Sequence, residues 1–158
     1  MKKIVANVSM LLTVLAATAA VTFAADSSVG TWKLNAAKST FSGSYVVKSQ
    51  TDVREATSEG GVKVTRDAEL GNGTTVKGSF IYNYDGKEYP ATGLAFDSLS
   101  VKRLDANTAA FEVKKTGGKY HVTGQSVISA DGKTMTQTAT GTDAEGNAIS
   151  STAVFDKQ

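Results

Sequence analysis

Two arginines fall on the apolar side of their strands, where each could hold an anion. Arg66 is in phase with Val62, Val64, Ala68 and Leu70, and Arg103 with Leu99 and Val101. A guanidinium on an apolar strand face is costly unless an acid, solvent or an anionic ligand meets it. If both side chains line an interior, each could hold a carboxylate or phosphate bidentately. The competing reading is that a strand end lets them reach water, or that a bulge reverses the phase. Gln137, in phase with Met135 and Ala139, is a weaker candidate of the same type. Phe80, Tyr82, Tyr84, Tyr89 and Phe111 could wall an apolar pocket around such a group, or simply fill a core.

Catalytic and metal chemistry find less to work with. The chain has no Cys, which removes thiol nucleophiles, disulfides and thiolate-ligated metals together. Its one His, His121, falls on the face opposite Tyr120 and Val122, beside Thr123 and Gln125. No Ser sits in a nucleophile-elbow context that such a base could serve, so His121 reads as an exposed strand residue. Asp131 and the pair Asp143 and Glu145 lack the calcium-loop pattern and read as turn acids. Asn72-Gly73-Thr74 matches a glycosylation sequon, although Asn-Gly is itself a hairpin signal. No catalytic residue, metal site or cofactor is assigned.

The elements that must position these side chains are strands. Turn pairs recur at Gly60-Gly61, Asn72-Gly73, Asp85-Gly86, Gly117-Gly118, Asp131-Gly132 and Gly146-Asn147. Between them lie alternating segments rich in Val, Thr, Tyr and Phe, with no sustained helical stripe. Ten strands are expected, near Gly30–Leu34, Tyr45–Ala56, Val62–Leu70, Thr74–Tyr84, Glu88–Gly93, Ser98–Leu104, Thr108–Lys115, Lys119–Ser129, Thr134–Thr142 and Ala148–Asp156. Short turns without long crossovers imply an all-β antiparallel up-and-down meander closing into a barrel or sandwich.

Alternation assigns the faces. Tyr45, Val47 and Val53 are expected on one side of the second strand, with Lys48, Asp52 and Arg54 on the other. Val76, Phe80, Tyr82 and Tyr84 oppose Thr75, Lys77, Ser79 and Asn83; Phe111 and Val113 oppose Glu112 and Lys114. An outer face this rich in charge argues against a lipid-embedded barrel, where a cation at midplane costs roughly 2–4 kcal/mol.

The N-terminus reads as an export address. Lys2 and Lys3 precede an apolar stretch that ends in Thr22-Phe23-Ala24, a small-x-small site before Ala25. Residues 1–24 are expected to be cleaved, leaving no membrane span and a single domain over 25–158, in the periplasm or outside the cell. Removing Lys2 and Lys3 balances the remaining basic groups against 15 acidic ones. A neutral domain with dispersed charge is not expected to bind nucleic acid.

The run Val29-Gly30-Thr31-Trp32-Lys33-Leu34 resembles the Gly-x-Trp first strand of the lipocalin and fatty-acid-binding-protein (calycin) superfamily. The closing segment Ser151 to Lys157 is similar to the last strand of the fatty-acid-binding proteins, and Val101 to Asp105 to their central hairpins. The resemblance implies a lipocalin-like barrel with Trp32 plugging one end, and a lumen for a lipid or another small, mostly hydrophobic or amphiphilic ligand. Two departures stand out. Asn35 to Ser44 is too short for the family's two-helix lid at about 1.5 Å per residue, and allows one helical turn around Ala36–Ser39. Ala153 and Phe155 occupy the positions of the Arg and Tyr that grip a carboxylate in that family. The functional expectation is ligand binding without catalysis. Its rival is a packed barrel acting as a structural or interaction module of the cell envelope, with a protein partner that the residues do not identify.

Overall fold

The computed structural model describes residues 26–43 and 46–158. The expected export signal and Tyr45 lie outside the described residues. Eleven strands follow in chain order: β1 (Gly30–Leu34), β2 (Thr40–Ser42), β3 (Val47–Ala56), β4 (Val62–Leu70), β5 (Thr75–Tyr82), β6 (Asp85–Thr92), β7 (Ser98–Arg103), β8 (Thr108–Lys114), β9 (His121–Ile128), β10 (Thr134–Thr142) and β11 (Ala148–Lys157). Every pairing is antiparallel, and β1 bonds both β3 and β11, so the sheet closes on itself. Closure removes the open edges that would otherwise invite aggregation.

Ten of these strands match the sequence reading. The eleventh is the three-residue β2, too short to show alternation. It pairs with Ser150–Thr152 of β11, while β1 pairs with Phe155–Lys157. The two therefore share one partner and act as a single strand broken by a 3-10 turn over Ala36–Lys38. Ser39 Oγ accepts the Val154 amide at 2.9 Å, and Asn35 Nδ2 donates to Asp156 at 2.7 Å, fixing the break against β11.

Asp131 and Asp143 act as the turn acids expected of them, whereas the Glu145 side chain is not seen to accept such a bond. In five hairpins the side chain of Asn72, Asp85, Asp105, Asp131 or Asp143 accepts the amide two residues ahead. Such bonds satisfy donors that the ladder cannot reach. In the β9–β10 hairpin the chain then reverses through Gly132, whose φ of +70° a Cβ would disfavour. The wall is weakest between β5 and β6, which share only the pairs Ser79–Thr92 and Phe80–Ala91.

One face assignment is corrected. The β3–β4 register shifts between Val47 and Ser49. A bulge adds one residue and reverses the alternation beyond it. Gln50, Asp52 and Arg54 are consequently buried, and Val53 is exposed. Asp52 and Arg54, expected outside, are on the inner face of that strand, while Lys48, before the phase reverses, stays outside.

Two apolar clusters fill the interior. The larger joins Val62, Val64, Tyr82, Phe96, Leu99 and Val122; the smaller joins Trp32, Leu34, Ile128, Met135 and Phe155. Trp32 is 0% exposed, and its Nε1 donates to the Ser28 carbonyl at 2.8 Å. Residues 26–29 cross the barrel end above it. Lys157 on β11 donates to the Ser27 carbonyl, while Ser28 bonds the Tyr84 hydroxyl and Asp26 pairs with Arg103 on the far wall. That end is closed by its own chain, with Trp32 beneath.

Candidate functional site

A cavity of about 170 Å³ lies within the barrel. Phe80 and Tyr82 from β5, Tyr84 just beyond it, Phe111 from β8 and Gln137 from β10 all line it. Arg66 and Arg103 line it as well, so the in-phase arginines do face the interior. Tyr89 does not; its hydroxyl donates to Asp85 at 3.0 Å outside the lumen. A larger depression, about 600 Å³, lies open on the outer face of β7–β10 beside Lys102, Glu112 and Thr123. Its solvated walls make it a poorer ligand site than the enclosed lumen.

The aromatic wall is continuous. Tyr84 meets Tyr82 edge-on at 5.2 Å, Tyr82 stacks on Phe80 at 6.1 Å, and Phe80 tilts against Phe96 at 6.0 Å. Phe96 in turn stacks on Tyr120 at 6.4 Å. Phe96 escaped the sequence reading because it sits in the turn between β6 and β7, where no alternation points it inward.

Each of the two arginines has a carboxylate. Arg66 grips Asp52 by two parallel bonds, Nε to Oδ1 at 2.9 Å and Nη2 to Oδ2 at 2.8 Å. Arg103 bonds Asp26 at 2.9 Å and lies 3.6 Å from the centroid of the Tyr84 ring. The acids come from segments 14 and 77 residues away in sequence, which spacing alone does not reveal.

A third arginine completes the polar end. Arg54, turned inward by the β3 bulge, lines the cavity at 7% exposure. Its Nη2 stands 3.8 Å from Asp52 Oδ2, and its Nε has no hydrogen-bond partner. Asp52 is fully buried and also accepts Gln50 Nε2 at 3.0 Å. Burial alone would raise its pKa, but the Arg66 charge and bonds, with Arg54 and Gln50, hold it below the usual carboxylate range. For Asp26, burial likewise opposes ionisation, and bonds from Ser28 with the Arg103 charge overcome it.

Burial pushes the Tyr82 phenol far above its ordinary value; the nearby Arg54 charge opposes this, and Tyr84 adds to it. The sign follows by linkage. Above about pH 10 the unfolded chain releases this proton while the folded chain keeps it, so stability falls as pH rises. The slope assignable to Tyr82 is about 1.4 kcal/mol per pH unit. Urea denaturation between pH 9 and 11 is expected to show a shallower decline for Tyr82→Phe than for wild type; equal slopes would contradict the assignment.

His121 lies outside the barrel wall and bonds Glu112 at 2.8 Å, both exposed. Among the described residues, the lining carries no Asp, Glu or His.

No family model and no curated protein matches the chain. Among solved structures it is similar to the S-type phycobiliprotein lyase CPES from Guillardia theta. That match has a TM-score of 0.56 at 9% identity, covering 84% of this chain and 89% of that one. It is also similar to a variant of the fluorescent protein UnaG, with a TM-score of 0.50 at 14% identity, covering 84% and 96%. Likeness at such low identity is likeness of fold. The chain shares with these two proteins the fold of a closed antiparallel β-barrel.

Proposed function

We propose that this chain is an exported barrel that binds a small, mostly hydrophobic ligand without transforming it. The observation that carries the reading is the aromatic-walled lumen of about 170 Å³. An apolar cavity of about 150 Å³ is enough to bind benzene. The available space suits a compact ligand of one or two rings. Absence of catalysis is supported by the lining, which offers no imidazole or carboxylate to serve as a base. Since one fold relative is named a lyase, the bound molecule should be analysed before and after incubation; a changed mass would contradict simple carriage.

Export rests on Lys2, Lys3, the apolar stretch and the small-x-small site before Ala25. N-terminal sequencing of protein from the periplasm or medium is expected to begin at Ala25. Retention of Met1 would overturn this part.

The binding test is titration with one- and two-ring hydrophobic probes, comparing wild type with Ala139→Leu. Ala139 lines the lumen, and the added branch fills it. Affinity is expected to fall by about tenfold or more, since each 1.4 kcal/mol of lost contact is a factor of ten. An unchanged affinity would move the probes to the outer surface. The second reading, a packed interaction module of the envelope, is favoured by one observation: 170 Å³ is below the ~300 Å³ of usual ligand pockets. Failure of every probe to bind would select it.

A further inference from the structure

The charges around the lumen do not cancel. Among the described residues three arginines line it, Arg54, Arg66 and Arg103, and no acidic residue does. Asp26 answers Arg103, and the buried Asp52 answers Arg66. Nothing among the described residues answers Arg54 in the same way. Asp52 already takes three hydrogen bonds, two from Arg66 and one from Gln50. At 3.8 Å the Arg54 Nη2 feels its charge without forming a hydrogen bond.

The orphan Nε sharpens the point. A buried donor without an acceptor is uncommon in folded proteins and costs free energy. This one belongs to a side chain more than nine-tenths buried and facing the cavity. The Nε–Nη2 edge is also the edge by which Arg66 holds Asp52, a spacing that matches the two oxygens of a carboxylate. The polar end of the lumen thus carries one excess positive charge, on a guanidinium that also holds a buried donor without an acceptor.

We propose that Arg54 receives a single carboxylate, carried on a compact apolar body that lies along the Phe80–Tyr82 wall. This rests on the ligand-binding reading and adds the charge of the ligand and the residue that takes it. The site belongs to the third strand and reaches the lumen only through the β3 bulge. It is distinct from the closing-strand positions held here by Ala153 and Phe155. A monoanion balances the excess charge; a dianion would reverse it.

The probes are cinnamate and its neutral counterpart cinnamyl alcohol, titrated calorimetrically into wild type and Arg54→Met. Wild type is expected to prefer cinnamate by about 10- to 100-fold, the range of one charged hydrogen-bonded contact. Arg54→Met is expected to lose that preference, its affinity for cinnamate falling to that for the alcohol. Its Asp52–Arg66 pair remains intact, so it should fold. As a second readout, the Arg54 Nε–H resonance of wild type should shift with cinnamate and not with the alcohol. Equal wild-type affinities, a preference that survives Arg54→Met, or a resonance indifferent to cinnamate would overturn the proposal while leaving lumen binding standing. Failure of both probes to bind would overturn the proposal together with the reading beneath it.

Discussion

Asp52→Asn is expected to destabilise the barrel by about 3–5 kcal/mol, because it strands buried guanidinium groups without their shared carboxylate. Asp52 is fully buried, held by Arg66 at 2.8 and 2.9 Å and by Gln50 at 3.0 Å, with Arg54 close by. The same carboxylate makes stability depend on acid. Its folded pKa is lowered, so the unfolded chain takes up a proton first, near pH 3.9. The stabilisation is present above that pH and is lost as pH falls through the folded value. Urea denaturation from pH 7 to pH 3 should show a steeper fall for wild type than for Asp52→Asn; parallel curves would contradict the role given to Asp52. Converting the group to Asp52→Leu with Arg54→Met and Arg66→Met is expected to restore stability to within about 1 kcal/mol of wild type, since apolar replacement of a buried ion cluster is often neutral. Recovery would indicate that the charges serve the lumen rather than the fold.

Trp32→Ala is expected to cost about 3–5 kcal/mol, the usual loss for truncating a fully buried large aromatic. Trp32 packs with Phe155, Met135 and Leu34, and Lys157 sits 5.1 Å from its ring centroid. Its indole N–H is also the bond that holds Ser28 over the barrel end. Trp32→Phe separates the two effects. It keeps most of the packing and is expected to lose about 1 kcal/mol for the missing hydrogen bond. Both values come from denaturation midpoints at unchanged slope. A Trp32→Ala cost below that of Trp32→Phe would remove Trp32 from its place as the plug.

Much of this barrel was legible because its turns announce themselves. Asp85-Gly86 and Asp131-Gly132 mark reversals through side chains that bond their own backbone, so strands between them could be bounded without tertiary information. Arg66 and Arg103 were legible because β4 and β7 are regular and alternation predicts their faces. Arg54 was not, because a single extra residue at Lys48 reverses the phase and leaves no compositional trace. Val53 looked buried and Asp52 exposed for the same reason. The partners of the arginines were hidden for another: Asp52 faces Arg66 across the β3–β4 pairing only because the bulge turns it inward, and Asp26 reaches Arg103 across the barrel end from 77 residues away. Strand β2 was missed because three residues cannot display a period.

The central claim is that the lumen holds a small molecule. Native mass spectrometry of protein purified from its source cells without detergent, with analysis of an organic extract, tests it most directly. The account predicts a reproducible bound mass that carries an acidic group and is absent from Ala139→Leu. A clean apo mass, unchanged after incubation with extract from the source cells, would contradict it.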